Sequence, residues 1–92
     1  MINEKDLTIK EIFNLALKSH QNNNLHEAQN YYYKILEINP NHADANNNLG
    51  VLFQNSGNIQ KAKDCFEKAI TINPNYVNSH YNLGVLFQNS GN

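Results

Sequence analysis

A chain of 92 residues is long enough for one small domain. Its 7 Lys and Arg against 8 Asp and Glu give a net charge of −1, without the basic field that neutralises a phosphate backbone, so we expect no nucleic-acid partner. Charged residues fill the N-terminal stretch where a signal peptide is apolar, and no run of about 18 apolar residues occurs in the sequence. We therefore expect a cytoplasmic protein with no membrane partner.

The first predicted helix covers residues 8–21. Either of two N-terminal caps could begin this helix: Asp6 alone, or Thr8 with Glu11 in a capping box. Its inward face is predicted from side chains that recur at the three- and four-residue steps of a helix, namely Ile12, Leu15, Ala16 and Ser19.

The second predicted helix covers residues 25–39 and follows a turn in which Asn23 takes the left-handed conformation that ends a helix. Pro40 ends this helix, because proline disfavours a helical residue before it and donates no hydrogen bond. The side chains predicted to point inward are Ala28, Tyr32, Ile35, Leu36 and Ile38.

The same pattern returns 34 residues later, with predicted helices at 43–56 and 59–73, and a fifth helix at 77–90. Gly57 takes the place of Asn23, Pro74 that of Pro40, and the stretch NLGVLFQNSGN occurs at both 48–58 and 82–92. The repeat divides the chain into an N-terminal segment at 1–6, a first repeat at 7–40, a second at 41–74 and half of a third at 75–92. We expect the second helix of the third repeat to be missing.

Small residues recur where two helices of one pair would cross, and Phe53 and Phe66 would fill the space beside the second crossing. This helix-turn-helix pattern resembles the tetratricopeptide repeat family, over residues 7–92, and its repeats are similar to the O-linked N-acetylglucosamine transferase type. The residues that carry the resemblance are Leu15, Ala16, Ala28, Tyr32, Pro40, Leu49, Gly50, Phe53, Ala62, Phe66, Ala69, Pro74, Leu83, Gly84 and Phe87. The family's early aromatic position departs from the pattern, since Ile12, Asn46 and His80 occupy it.

The resemblance implies an all-α fold, an α-solenoid of about 2.5 tetratricopeptide repeats in which five antiparallel helices form a right-handed superhelix. The first helix of each repeat would line a concave groove that binds an extended peptide or a helix of another protein. The groove residues that the resemblance implies are Phe13, Asn14, Leu17, Asn47, Asn48, Val51, Tyr81, Asn82 and Val85.

Two rows stand out in this groove. Asn14, Asn48 and Asn82 occupy one slot per repeat, and their carboxamides could bond the backbone of an extended peptide without reading its side chains. The alternative is that these amides mainly bond neighbouring helices. Leu17, Val51 and Val85 form an apolar row, flanked by Phe13 and Tyr81, that signals either a contact surface or half-buried packing between helices.

Binding of chaperone carboxylate tails is not expected. In repeats that hold such tails, Lys and Arg pair with the carboxylates, whereas here Phe13, Asn78 and Asn82 occupy the basic slots and Leu17 an asparagine slot. Only Asn48 matches that pattern.

The sequence predicts no catalytic site, no metal site and no cofactor. Cys65 lies in the middle of a helix, where a structural cysteine is the expected role, and as the single cysteine it forms no internal disulfide. The four histidines lack metal-ligand spacing and are expected to be solvated: His20, His26, His42 and His80. Because no glycine-rich phosphate loop occurs either, we expect a non-enzymatic protein.

The last helix predicts self-association. Leu83, Leu86 and Phe87 form a face that would pack partly on the preceding pair and partly on a missing helix. Covering this face would favour a homodimer or another homo-oligomer, with or without exchange of helices. Two functions therefore remain: a protein-interaction module or scaffold that binds in its groove, and a structural element that assembles with itself.

Overall fold

The computed structural model describes residues 7–89, and this range contains five α-helices and no strand. They are α1 (Ile9–Gln21), α2 (Leu25–Ile38), α3 (Ala43–Asn55), α4 (Ile59–Ile72) and α5 (Val77–Asn89). The predicted cap at Asp6 and the predicted helical residue 90 lie outside the described residues. The chain divides into two compact units, the first ending at Pro40 and the second beginning at Asn41.

Helix α1 begins with the predicted capping box. The backbone N–H of Glu11 donates to Thr8 Oγ1 at 3.2 Å, and the backbone N–H of Thr8 donates to Glu11 Oε1 at 3.1 Å. The bond from the Thr8 N–H, together with one from Thr8 Oγ1 to the same oxygen at 3.0 Å, lowers the pKa of Glu11, because both favour its charged carboxylate. Two N–H groups that the helix itself leaves unpaired are thereby satisfied.

The turn from α1 to α2 is built around Asn23, whose φ of 62° is the predicted left-handed conformation. The N–H of Asn24 donates to the Ser19 carbonyl at 2.8 Å and that of Asn23 to the His20 carbonyl at 3.1 Å. This pair of bonds is the Schellman motif, which satisfies the last carbonyls of a helix.

The core of the first unit lies between α1 and α2. Six side chains are buried there: Ile12, Ala16, Ser19, Ala28, Tyr32 and Ile35. The buried hydroxyl of Ser19 has a hydrogen-bond partner, since it donates to Glu27 Oε1 at 2.9 Å. The prediction that Ile38 points inward is wrong, since this side chain is exposed at the last position of α2, directly before the Asn39–Pro40 stop.

The second unit has the same kind of turn between its first two helices and the same helix end before a proline. Gly57 has a φ of 82°, and Asn58 and Gly57 donate to the carbonyls of Phe53 and Gln54 in the same Schellman pattern. Helix α4 ends at Ile72, before Asn73 and Pro74, as the proline predicts.

Helices α3 and α4 approach each other closely at Gly50. A Cβ placed on Gly50 would lie 2.6 Å from Cε1 of Phe66, a ring that is fully buried. The predicted small residue at this crossing is therefore a steric requirement of the pair. Helix α5 completes the second unit and contacts both α4 and α3.

Candidate functional site

Asn47 is the centre of a polar cluster that joins α3 to α5. Its Oδ1 accepts a hydrogen bond from Ser79 Oγ at 2.7 Å and another from Asn82 Nδ2 at 3.1 Å. Its Nδ2 donates to Asn48 Oδ1 at 3.3 Å. Asn47 is only 4% exposed and Ser79 is fully buried, so these bonds satisfy polar groups that would otherwise be costly to bury.

Asn47 was predicted to lie in the groove and to contact a ligand directly. This prediction is wrong. Its carboxamide is buried and is engaged by α5. The sequence signal that could have revealed this is Ser79, a small hydroxyl residue on the neighbouring first helix, 32 positions away. We assign Asn47 a structural role beneath the predicted row of amides.

Two members of the amide row, Asn48 and Asn82, are brought together by this cluster, and both are half-buried. The alternative reading of the row, that its amides bond between neighbouring helices, accounts for the bond from Asn82 on α5 to Asn47 on α3. Each carboxamide can form about four hydrogen bonds, whereas within residues 7–89 Asn48 accepts one and Asn82 donates one. Asn14, the third member, is exposed on α1 in the first unit.

The predicted apolar row is half-buried throughout, at Leu17, Val51 and Val85. Of the two flanking aromatics, Tyr81 is 70% exposed, whereas Phe13 is half-buried with its ring centroid 6.3 Å from that of Tyr32. Tyr81 is therefore the more accessible of the two.

The face of α5 predicted for self-association is divided by the structure. Leu86 is 2% exposed and belongs to the core, so its assignment as an exposed association residue is wrong. Leu83 is half-buried and Phe87 is 44% exposed. Sequence reasoning missed Val77, which is 75% exposed at the start of the helix.

The first turn of α3 has a further contact in the second unit. Asp44 accepts a hydrogen bond from the hydroxyl of Tyr76, which precedes α5. Burial and the neighbouring Asp44 carboxylate raise the pKa of Tyr76, because both disfavour a phenolate. The phenol therefore stays a donor at neutral pH.

Two histidines that were predicted to be solvated are half-buried and have structural contacts. His42 caps α3, because its Nδ1 accepts from the backbone N–H of Ala45 at 3.0 Å. His20 lies with Nδ1 at 3.2 Å from the Tyr32 hydroxyl, and burial lowers the pKa of its imidazole. These contacts give both rings a role in local structure.

The thiol of Cys65 is poorly suited to nucleophilic chemistry. Burial, followed by the nearby Asp64 carboxylate, raises the pKa of Cys65 to about 11. The reactive species is the thiolate, and this environment disfavours it at neutral pH. Within residues 7–89, no three His, Cys, Asp or Glu side chains are arranged to hold a metal ion, and no helix is long and apolar enough to cross a membrane.

Comparisons with known proteins locate the same repeats. Three models of the tetratricopeptide repeat match residues 10–42, 43–76 and 65–92. A search of curated proteins returned no match.

Solved structures share the fold. Two crystal structures of MamA align at 21% identity with TM-scores of 0.86 and 0.85, covering 91% of this chain and 49% and 46% of theirs. A mutant O-GlcNAc transferase of Thermobaculum terrenum aligns at 26% identity with a TM-score of 0.84, covering 94% of this chain and 16% of that one. The chain thus spans about half the length of the MamA chains it resembles. These likenesses and the helices of residues 7–89 confirm the predicted all-α repeat fold.

Proposed function

The chain belongs to the tetratricopeptide repeat family, and from that premise we propose that its second unit binds an extended segment of another protein along its first helices, α3 and α5. Repeats of this family indicate a protein-interaction module. The proposed role is non-catalytic, because binding of this kind needs only hydrogen bonds and buried apolar area.

One observation carries the proposal: Asn48 and Asn82 lie on the same polar cluster and keep hydrogen-bonding capacity beyond it. Asn48 uses one lone pair of Oδ1, and Asn82 uses one N–H of Nδ2. Each amide can still offer both a donor and an acceptor, which are the two groups that a peptide backbone requires.

Apolar side chains on the same helices support the proposal. Val51 lies three residues after Asn48, and Val85 three residues after Asn82, so each shares a helix face with its amide. Both are half-buried, which leaves apolar surface for a ligand side chain. The amides would then bond the backbone while the valines select apolar side chains.

Peptides selected from a random library on the intact chain test the proposal. Their affinities for Asn48→Ala and for Asn82→Ala should each fall about fivefold, since a hydrogen bond contributes roughly 1 kcal/mol. The loss should be similar for peptides of unrelated sequence, because backbone groups are the same in all of them. Fluorescence anisotropy measures each affinity.

Asn30→Ala is the matched control, because Asn30 is exposed on α2, outside the first helices. It should leave every affinity unchanged, while circular dichroism verifies that all variants are folded. If the selected peptides bind Asn48→Ala and Asn82→Ala as tightly as the wild type, the amide row is not the site.

Self-association through α5 is the second candidate function, favoured by the exposure of Val77, Tyr81 and Phe87. Sedimentation across a wide concentration range should give a mass above one chain, and Tyr81→Lys should reduce it to that of one chain. Leu86→Asp would be a poor test, since it would unfold the core. Ile38→Lys is the control, because Ile38 is an exposed apolar residue on α2.

A further inference from the structure

The first unit contains a pair of contacting side chains whose counterparts in the second unit cannot ionise. His20 at the end of α1 and Tyr32 in α2 correspond, 34 residues later, to Gln54 and Phe66. His20 is half-buried and Tyr32 is fully buried. An imidazole that can change its charge near neutral pH therefore lies within one helix pair, and an uncharged amide takes its position in the other.

The two rings of this pair are in direct contact. His20 Nδ1 lies 3.2 Å from the Tyr32 hydroxyl, and the ring centroids are 6.1 Å apart at an interplanar angle of 74°. A neutral imidazole accepts a hydrogen bond at Nδ1 when its proton is on Nε2, whereas an imidazolium has a proton on both nitrogens and only donates. Protonation of His20 therefore changes the bond that the buried hydroxyl can form.

The backbone around His20 belongs to the turn that joins α1 to α2. The His20 carbonyl accepts a hydrogen bond from the N–H of Asn23 at 3.1 Å, and the Ser19 carbonyl accepts one from Asn24 at 2.8 Å. The Ser19 hydroxyl also donates to Glu27 Oε1 of α2 at 2.9 Å. A change at the His20 ring thus acts on the residues that connect the two helices.

Burial outweighs the nearby charges at His20. The ionisable residues at this end of the helix pair, in the last turn of α1 and the first half of α2, are Lys18, His26, Glu27, Tyr31 and Tyr32. An ion pair with Glu27 would raise the pKa of His20, and the carbonyl end of α1 also favours an imidazolium. Burial nevertheless prevails and lowers the pKa of His20.

We propose that the His20–Tyr32 contact makes the first unit sensitive to acid, so that protonation of His20 loosens the end of α1 and the turn that follows it. In neutral solution the Tyr32 hydroxyl donates to Nδ1 of His20. In acid this acceptor is lost and the half-buried ring becomes charged, and both changes weaken the packing of α1 against α2. This proposal does not depend on peptide binding by the amide row.

The direction of the pH dependence follows from burial. The pKa of His20 is lower in the folded chain than the unfolded value of about 6.5. The contribution of the neutral ring to stability is therefore fully present above about pH 6.5, and it is lost as the pH falls through the folded value.

Replacing His20 with the residue of the second unit tests the proposal. Urea unfolding followed by circular dichroism, at about pH 7.5 and about pH 5, should show a larger fall in the midpoint for the wild type than for His20→Gln. His26→Gln is the matched control, because His26 is an exposed histidine of α2, and it should keep the pH dependence of the wild type. All other titrating groups are common to the three proteins.

Amide hydrogen exchange locates the effect within the chain. The N–H of Asn24 donates to the Ser19 carbonyl at 2.8 Å, and its counterpart Asn58 donates to the Phe53 carbonyl at 2.8 Å in the second unit. Between about pH 7.5 and about pH 5, the protection factor of Asn24 should fall more than that of Asn58. This difference should disappear in His20→Gln.

Nuclear magnetic resonance of the imidazole rings reports on the contact itself. In the wild type, the titration midpoint of His20 should lie below that of the exposed His26. Tyr32→Phe keeps the buried ring and removes the hydroxyl, so it should raise the midpoint of His20, because the neutral imidazole loses its donor.

Each of four results overturns the proposal. The wild type and His20→Gln could lose equal stability in acid, or Asn24 and Asn58 of the wild type could lose equal protection. A midpoint of His20 at or above that of His26 would mean that the ring is solvated. A midpoint that Tyr32→Phe leaves unchanged or lowers would mean that the Tyr32 hydroxyl does not donate to the neutral ring.

Discussion

Helices α3 and α5 share eight consecutive residues, NLGVLFQN, but differ in how much of that sequence is buried. In α3, the residues Leu49, Gly50, Leu52 and Phe53 are all buried. Of their four copies in α5, only Leu86 is buried. The sequence is constant in this comparison, so the difference comes entirely from the neighbours of each helix.

The comparison separates two properties of a helix: which of its sides is apolar, and whether that side is buried. The pattern determines which side of a helix is apolar, and this side is the same in α3 and α5. Whether that side is covered depends on a second helix, as the position of Phe66 against Gly50 illustrates. Matched substitutions in the two helices can therefore measure what a neighbour contributes to stability.

Truncation of the two phenylalanines should give the largest difference. Phe53 is 6% exposed, so Phe53→Ala should lower the free energy of unfolding by about 3 kcal/mol or more. Phe87 is far more exposed, and Phe87→Ala should cost about 1 kcal/mol. Urea unfolding followed by circular dichroism measures both values.

The leucines one position earlier are the control for this pair. Leu52 and Leu86 are equally buried, so Leu52→Ala and Leu86→Ala should both cost about 2 kcal/mol or more. A cost for Phe87→Ala as large as that for Phe53→Ala would contradict the exposure of Phe87.

The two glycines should respond to alanine with opposite signs. Gly50→Ala forces the new Cβ against the buried ring of Phe66 and should destabilise the chain by about 2 kcal/mol. Gly84→Ala meets no neighbouring atom among residues 7–89 and should stabilise the helix by up to about 1 kcal/mol, because alanine has the higher helix propensity. Equal effects in thermal unfolding would mean that the α3 and α5 surfaces are covered alike.

The polar contact between α3 and α5 should contribute less. The positions 34 residues before Asn47 and Ser79 are Phe13 and Ala45, so this pair is polar in one repeat only. A double-mutant cycle of Asn47→Ala and Ser79→Ala should give a coupling free energy of about 1 kcal/mol. A coupling near zero would mean that the bond from Ser79 Oγ to Asn47 does not stabilise the contact.

Much of the fold follows from local signals that act over a few residues. The Thr8–Glu11 capping box, the left-handed Asn23 and Gly57, and the prolines that follow α2 and α4 each act through neighbouring backbone groups. Such signals depend only on residues that are close in sequence, and the structure has each of them where it was predicted.

The candidate site could be predicted only in part, because it depends on contacts between distant residues. The position of Asn47 on its helix does not reveal that Ser79 and Asn82 occupy its amide oxygen. The burial of Leu86 is likewise set by the helices against which α5 packs. Sequence periodicity placed these residues on a face but could not say what lies opposite that face.

The smallest expected difference concerns the first turns of α3 and α5. Tyr76 donates to Asp44, whereas Asn78, the copy of Asp44 in α5, is exposed, so Tyr76→Phe should cost up to about 1 kcal/mol and Asn78→Ala almost nothing. Because the pKa of Tyr76 is raised in the folded chain, its contribution is fully present below the unfolded value of about 10 and is lost as the pH rises above it. Urea unfolding at about pH 9 and about pH 11 should therefore show a larger loss of stability for the wild type than for Tyr76→Phe. Equal losses would mean that the hydrogen bond to Asp44 adds nothing to the stability of the α3 terminus.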